Sequence, residues 1–206
     1  MYSFPEIKRL FNLQSEKASR MVNRGILAKN SGVYGSRGNT HVDFLTLVEL
    51  LVASEMRSKG VSAQEIRKVR EAYISKGFKH PLADSRFCTD GKKVFMDDDG
   101  DLHEAYSKQR VFREVMKGMM KKIGYSEKYH LAEKYYPFHK KTVVIDPKYA
   151  FGAPSIAGTR IKTSSLYGYF LSGWKKERIA EEWGISLTKV NDAIEFEEHL
   201  SQKTAA

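Results

Sequence analysis

Lysine, arginine, asparagine and serine side chains crowd one side of SEKASRMVNRG, residues 15–25. At helical spacing Ala18, Met21 and Val22 face inward and Gly25 stops the helix, leaving Glu16, Lys17, Ser19, Arg20, Asn23 and Arg24 outside. These are nucleic-acid chemistries: arginine reads guanine, asparagine reads adenine, and serine and lysine hold phosphates. Ser15 stands at the helix start, and Lys29 and Arg37 follow in a glycine-rich stretch. The candidate DNA contacts are therefore Ser15, Lys17, Ser19, Arg20, Asn23, Arg24, Lys29 and Arg37.

A second stretch, GAPSIAGTRIKT from Gly152 to Thr163, has the glycines and hydroxyls of a phosphate-cradling loop. It does not match the nucleotide motifs. No lysine follows Gly158 directly, and it is not GxGxxG between a long strand and a helix. Gly152, Pro154, Gly158, Thr159 and Arg160 read instead as framework, with Arg160 expected to tie the loop to nearby carbonyls or acids. The six histidines show neither HExxH nor another ligand spacing, and no Ser-His-Asp order stands out. Hence no catalytic residue, metal site or cofactor is assigned, and the expected protein is not an enzyme.

The elements that must carry the first set are short. Ser3 and Glu6 make a capping box for a helix with Ile7, Leu10 and Phe11 on one face. NLQ is a turn and Ser15 caps the second helix, the sequence image of a helix-turn-helix. Ile26 and Leu27 begin a strand, and KNSGVYGSRGNT reads as a hairpin, giving a winged helix over residues 1–42.

Residues 43–137 read as a helical extension with a β-hairpin. Asp43 caps a helix with Leu45, Val48, Val52 and Met56 at helical spacing, and Ser62 with Glu65 caps another with Ile66, Val69 and Tyr73 inward. Asp90-Gly91 signals a hairpin between RFCT and KKVFM. The acidic run Asp97–Asp101 lacks the ligand spacing of an EF-hand and reads as a solvated turn. A helix over 107–125 follows, with Val111, Val115 and Met119 on one face. The boundary to the last domain, 138–206, falls near Pro137.

That domain begins with the strand TVVIDP and continues with three helices. Ser164 or Ser165 caps the first, Ile179, Ala180 and Trp183 face inward from the second, and Ser186 caps the third. It has a helix-turn-helix look. The outer side of the last helix, however, offers Thr188, Lys189, Asp192, Glu195 and Glu198, and carboxylates repel phosphates. A protein partner or a second copy suits this domain better. The expected fold is mainly α with small β elements: an amino-terminal winged helix-turn-helix and a carboxy-terminal three-helix domain.

Charge supports this division of labour. The net charge is +10, which suits an anionic partner. Residues 1–40 hold seven Lys/Arg against Glu6 and Glu16, whereas residues 177–206 hold seven acids against Arg178, Lys189 and Lys203. The stretch from Ser107 to Lys148 is also basic, and can extend a DNA footprint or meet an acidic protein. With 41% hydrophobic residues the chain can build real cores. Cys88 is the only cysteine, so no internal disulfide forms, which fits the reducing cytoplasm. MYSFPEIKRL does not read as a signal peptide, and no apolar run spans a membrane.

The segment from Asp146-Pro147 through Gly152, Pro154, Gly158-Thr159-Arg160, Gly173, Ile179-Ala180 and Ala193-Ile194 to Phe196-Glu197 resembles the small helical domain of unknown function widespread in bacterial antitoxins. Upstream, HVDFLTLVELLVASEMRSKGVSAQEIRKV and RFCTDGKKVF resemble the longer, VapB-type antitoxins with an amino-terminal MerR-like winged helix. The resemblance implies a type II toxin–antitoxin role. Such a protein binds and blocks a PIN-like ribonuclease toxin and represses the shared operon by binding its double-stranded DNA operator. A homodimer is expected, because operators read by helix-turn-helix proteins are usually palindromic. The alternative is a stand-alone MerR-like regulator with a carboxy-terminal dimerisation domain.

Overall fold

The computed structural model describes residues 1–13, 15–23, 26–27, 32–36, 39–90 and 102–205; side chains at 15–16, 23, 88–90, 102–109, 111 and 203–205 are outside that description. The fold is mainly helical with small antiparallel sheets, as the sequence leads one to expect. Two compact units divide the chain, Met1–Glu133 and Lys134–Ala206.

The first unit opens with strand β1 (Tyr2–Ser3), helix α1 (Phe4–Phe11) and helix α2 (Ser15–Asn23). The capping box forms: the Ser3 N–H donates to Glu6 Oε2 at 2.7 Å and the Glu6 N–H to Ser3 Oγ at 3.4 Å. Asn12 ends α1 in left-handed backbone, φ 55°. Ile7, Leu10, Ala18, Met21 and Val22 are buried, as the helical spacing requires.

Ile26 and Leu27 are buried but lie in a bend, not in the expected strand; the Leu27 N–H closes back on the Met21 carbonyl at 3.1 Å. The hairpin comes slightly later, as β2 (Val33–Tyr34) and β3 (His41–Val42), with β1 on the other side of β3. Glycine is required at its base and its turn. A Cβ on Gly32 would sit 2.1 Å from the Asp43 carboxylate, and one on Gly35 would sit 2.1 Å from the Asn39 carbonyl oxygen.

Asp43 is placed there to cap α3 (Phe44–Ser58), accepting from the Thr46 N–H at 2.7 Å. This helix is buried on nearly every side, including Thr46 and Glu49. Against it pack α4 (Ala63–Ile74), capped by the Ser62–Glu65 box, and a short turn Pro81–Ala83. Residues 86–89 are helical, within α5 (Ser85–Asp90), so RFCT is not the strand its hairpin signal implies. The Asp84 side chain sets that local choice, accepting from the Arg86 N–H at 2.9 Å and from its guanidinium. Gly91, KKVFM and the Asp97–Asp101 turn lie outside the described residues. Next comes α6 (Leu102–Lys122), shifted towards the amino terminus from its expected span; Ile123 to Tyr125 leave the helix as β4, paired with β5 (Ala132–Tyr135). Tyr73, Phe87 and Phe112 form an edge-to-face aromatic chain through this core, with centroids 4.9 and 5.4 Å apart.

The second unit pairs β6 (Val143–Val144) with β7 (Ser155–Ile156) and packs three helices on them: α7 (Thr163–Leu171), α8 (Lys176–Trp183) and α9 (Leu187–Ala205). Ile156, Leu166, Ile179, Ala180, Val190, Ala193 and Ile194 make its core, with Trp174 and Trp183 partly buried around it. No helix among the described residues is long and apolar enough to cross a membrane.

Candidate functional site

In the first unit, α1, the turn at Asn12 and α2 present Lys17 and Arg20 to solvent, three residues apart on one helix face. Ser19 is half-buried beside them. Ser15 and Asn23 belong to α2, though their side chains are outside the described set, and Arg24, Lys29 and Arg37 lie outside it altogether. The hairpin that follows exposes Tyr34. Thus the described part of the set is a pair of exposed cations on one face of α2, a chemistry able to hold phosphates.

In the second unit the GxPxxxGTR loop is fixed by its own backbone. Pro154 is buried and its carbonyl accepts from the Thr163 N–H at 3.1 Å; Gly158 turns the tip with φ 78°. The Thr159 hydroxyl donates to the Ile156 carbonyl at 2.9 Å and accepts from the Ile161 N–H at 3.1 Å. Pro154, Gly158 and Thr159 thus take part in closing the loop on itself. Arg160 is not the tie expected of it: the side chain is exposed, with no hydrogen bond, ion pair or ring contact among the described residues. The loop closes through backbone bonds and Thr159, which leaves the guanidinium unused.

Two further groups depart from the sequence reading. Neither Ser164 nor Ser165 caps α7; the helix begins at Thr163, behind Lys162. The Thr163 hydroxyl donates to the buried Glu197 carboxylate and lies 3.4 Å from the Pro154 carbonyl, so it joins loop, α7 and α9. Asp192 is not on an outward acidic face either. It is buried, accepting from Lys140 Nζ at 2.8 Å and from the Thr142 hydroxyl at 2.7 Å, while Lys140 also reaches Glu195 at 2.8 Å. Burial raises the Asp192 carboxyl, but the bonds from Lys140 and Thr142 outweigh it and hold the group below its ordinary value. The same bonds from the two carboxylates raise Lys140. A lysine just past the expected domain boundary gave no signal of this pairing.

Just before the loop lies a feature no sequence pattern announced. Ala150, Phe151 and Gly152 all have positive φ, at 48°, 55° and 79°. The Gly152 and Ala153 N–H groups close i→i+3 bonds on the Tyr149 and Ala150 carbonyls, making one left-handed turn. Left-handed backbone costs a non-glycine residue about 1–2 kcal/mol. Here two residues bear that cost and the Phe151 ring stands 95% exposed.

Among the described residues no group of three or more His, Cys, Asp or Glu is placed to hold a metal ion.

Residues 143–196, the segment holding this loop and α7–α9, match the model of a family described as a protein of unknown function, DUF433. Putative antitoxin VapB45, a protein of Mycobacterium tuberculosis (strain ATCC 25618 / H37Rv), is 24% identical over 171 residues, spanning 76% of this chain and 72% of its own. The crystal structure of Rv2018 from Mycobacterium tuberculosis shares the fold, with a TM-score of 0.75 at 21% identity over 94% of this chain and 96% of that one.

Proposed function

We propose that this chain is the antitoxin of a type II toxin–antitoxin system. It binds and neutralises a PIN-like ribonuclease toxin and represses its own operon as a cytoplasmic homodimer. The observation that carries the reading is its similarity, across three-quarters of the chain, to a protein named as an antitoxin. In this reading residues 1–42 are a MerR-like winged helix with α2 as the groove-facing element, 43–137 a helical extension, and 138–206 the part that binds the toxin or a second copy. The exposed Lys17 and Arg20 support the DNA contact, because cations on one helix face gain affinity by releasing phosphate counterions. The role is regulatory, not catalytic.

Co-expression with the neighbouring gene tests it. The neighbour should arrest growth alone, be harmless with this chain, and copurify with it. A harmless neighbour that does not bind would leave the second reading, a stand-alone MerR-like regulator, favoured by the helix–turn–helix–hairpin order of residues 4–42.

A further inference from the structure

We propose that the second unit self-associates by inserting Phe151 of each copy into the cleft between Phe138 and the end of α9 on the other. The proposal supplies the interface of the homodimer in the reading above. Its test reads self-association alone, so it stands or falls separately from toxin and DNA binding.

The donor side is the left-handed turn. A fully solvated phenylalanine held on strained backbone is an expense that a purely structural turn avoids by using glycine. The turn is stiff: the Asp146 carboxylate accepts from the Lys148 N–H at 2.9 Å and its carbonyl from the Tyr149 N–H at 3.0 Å, just ahead of the i→i+3 bonds. A rigid, protruding ring loses little freedom on binding, which is what an anchor residue needs. Exposed Lys162 pairs across Ser155 at the base of the adjoining loop. The knob is therefore apolar with a cationic flank.

The acceptor side has the opposite character. A cleft of about 490 Å3 is lined by Pro137, Phe138, His139, Glu195, Glu198, His199 and Gln202. Phe138 forms an aromatic floor: its ring meets Phe196 edge-on at 5.8 Å and lies 4.1 Å from the His139 ring and 6.3 Å from that of His199. Glu195 is shared with Lys140, but the exposed Glu198 carboxylate has no partner among the described residues. An aromatic floor with a carboxylate rim complements an aromatic knob with a cationic flank. Since both halves lie on one chain, a two-fold exchange uses each of them twice and closes the assembly.

Sedimentation of the full-length chain tests this. The unaltered protein should be a dimer at micromolar concentration. Phe151→Ala and Glu198→Lys should each weaken dimerisation by about 100-fold, as loss of a central anchor does, with the helical circular dichroism of the folded chain unchanged. An equimolar mixture of the two variants should regain dimer mass, because the heterodimer keeps one intact ring facing one intact cleft. A monomeric wild type, a Phe151→Ala variant that dimerises like wild type, or a mixture no more associated than its components would each overturn the proposal.

Discussion

Glu49 of α3 and Arg70 of α4 meet as a fully buried ion pair. Arg70 Nε and Nη2 donate to the two carboxylate oxygens at 3.2 and 3.1 Å, and neither side chain is more than 2% exposed. The Leu82 N–H adds a third donor to Glu49 at 3.3 Å, and His80 Nδ1 lies 3.4 Å away. This cluster fastens α3, α4 and the Pro81–Ala83 turn at one point. Taking charges out of water is costly, and only complete mutual satisfaction offsets it.

Removing one partner should therefore be far worse than removing both. Arg70→Met is expected to lose about 3–5 kcal/mol of stability, because it leaves the Glu49 carboxylate buried without its cation. The pair Glu49→Leu with Arg70→Met should recover much of that loss. Urea denaturation of the two single variants and the double variant checks it; additive losses would show that the charges act independently.

In the second unit the equivalent lock is Thr163 with Glu197, both buried. Thr163→Val keeps the shape and removes the hydroxyl, so Glu197 loses its donor in a dry site. A stability loss of about 1–3 kcal/mol is expected, the cost of one unsatisfied buried group. Thr163→Ser keeps the hydroxyl and should cost less. Thermal melts of the two variants separate loss of the hydrogen bond from loss of the methyl contact.

What was legible in the sequence follows from locality. The Ser3–Glu6 and Ser62–Glu65 boxes and the Asp43 cap act across three residues, so their residue types alone announce them. Helical spacing likewise marks Ile66, Val69 and Tyr73 as core. Glu49 hides in the same helical pattern because its partner lies on another helix, and Asp192 reads as solvated because Lys140 reaches it from 52 positions away. Phe151 escaped for the opposite reason. A solvent-exposed ring on left-handed backbone violates local preference, and periodicity carries no trace of a violation. The candidate DNA contacts were chosen as chemistry on a helix, and part of that set falls outside the described residues.

The Asp192 clamp gives a pH dependence with a definite sign. Its folded carboxyl is held below the ordinary value of 3.8, so the contribution is complete above that value and is lost as pH falls through the folded one. Lys140, raised above 10.5, contributes fully below that value and loses its part as pH rises through its folded value. Asp192→Asn should be less stable than wild type at neutral pH, and the gap should narrow on acidification. Melting temperatures measured from neutral pH to below 3.8 test this. A gap that stays constant would mean that the Asp192 charge contributes nothing.

The basic face of α2 makes the last prediction. If Lys17 and Arg20 hold operator phosphates or bases, Lys17→Ala should weaken binding to all sequences alike and lower the salt slope by about 1. Arg20→Ala should weaken binding as well, and relax specificity if it reads a guanine, at a cost of about 1–3 kcal/mol. The neighbouring Arg24 belongs to the same expectation from its place in the sequence. The measurement is a salt titration of promoter binding by wild type and each variant, against a scrambled duplex of equal length. Substitutions on α9, such as Glu195→Gln, should leave the salt slope unchanged, since Glu195 is joined to Lys140 and belongs to the second unit. Equal affinity and slope in wild type, Lys17→Ala and Arg20→Ala would remove α2 from the DNA contact.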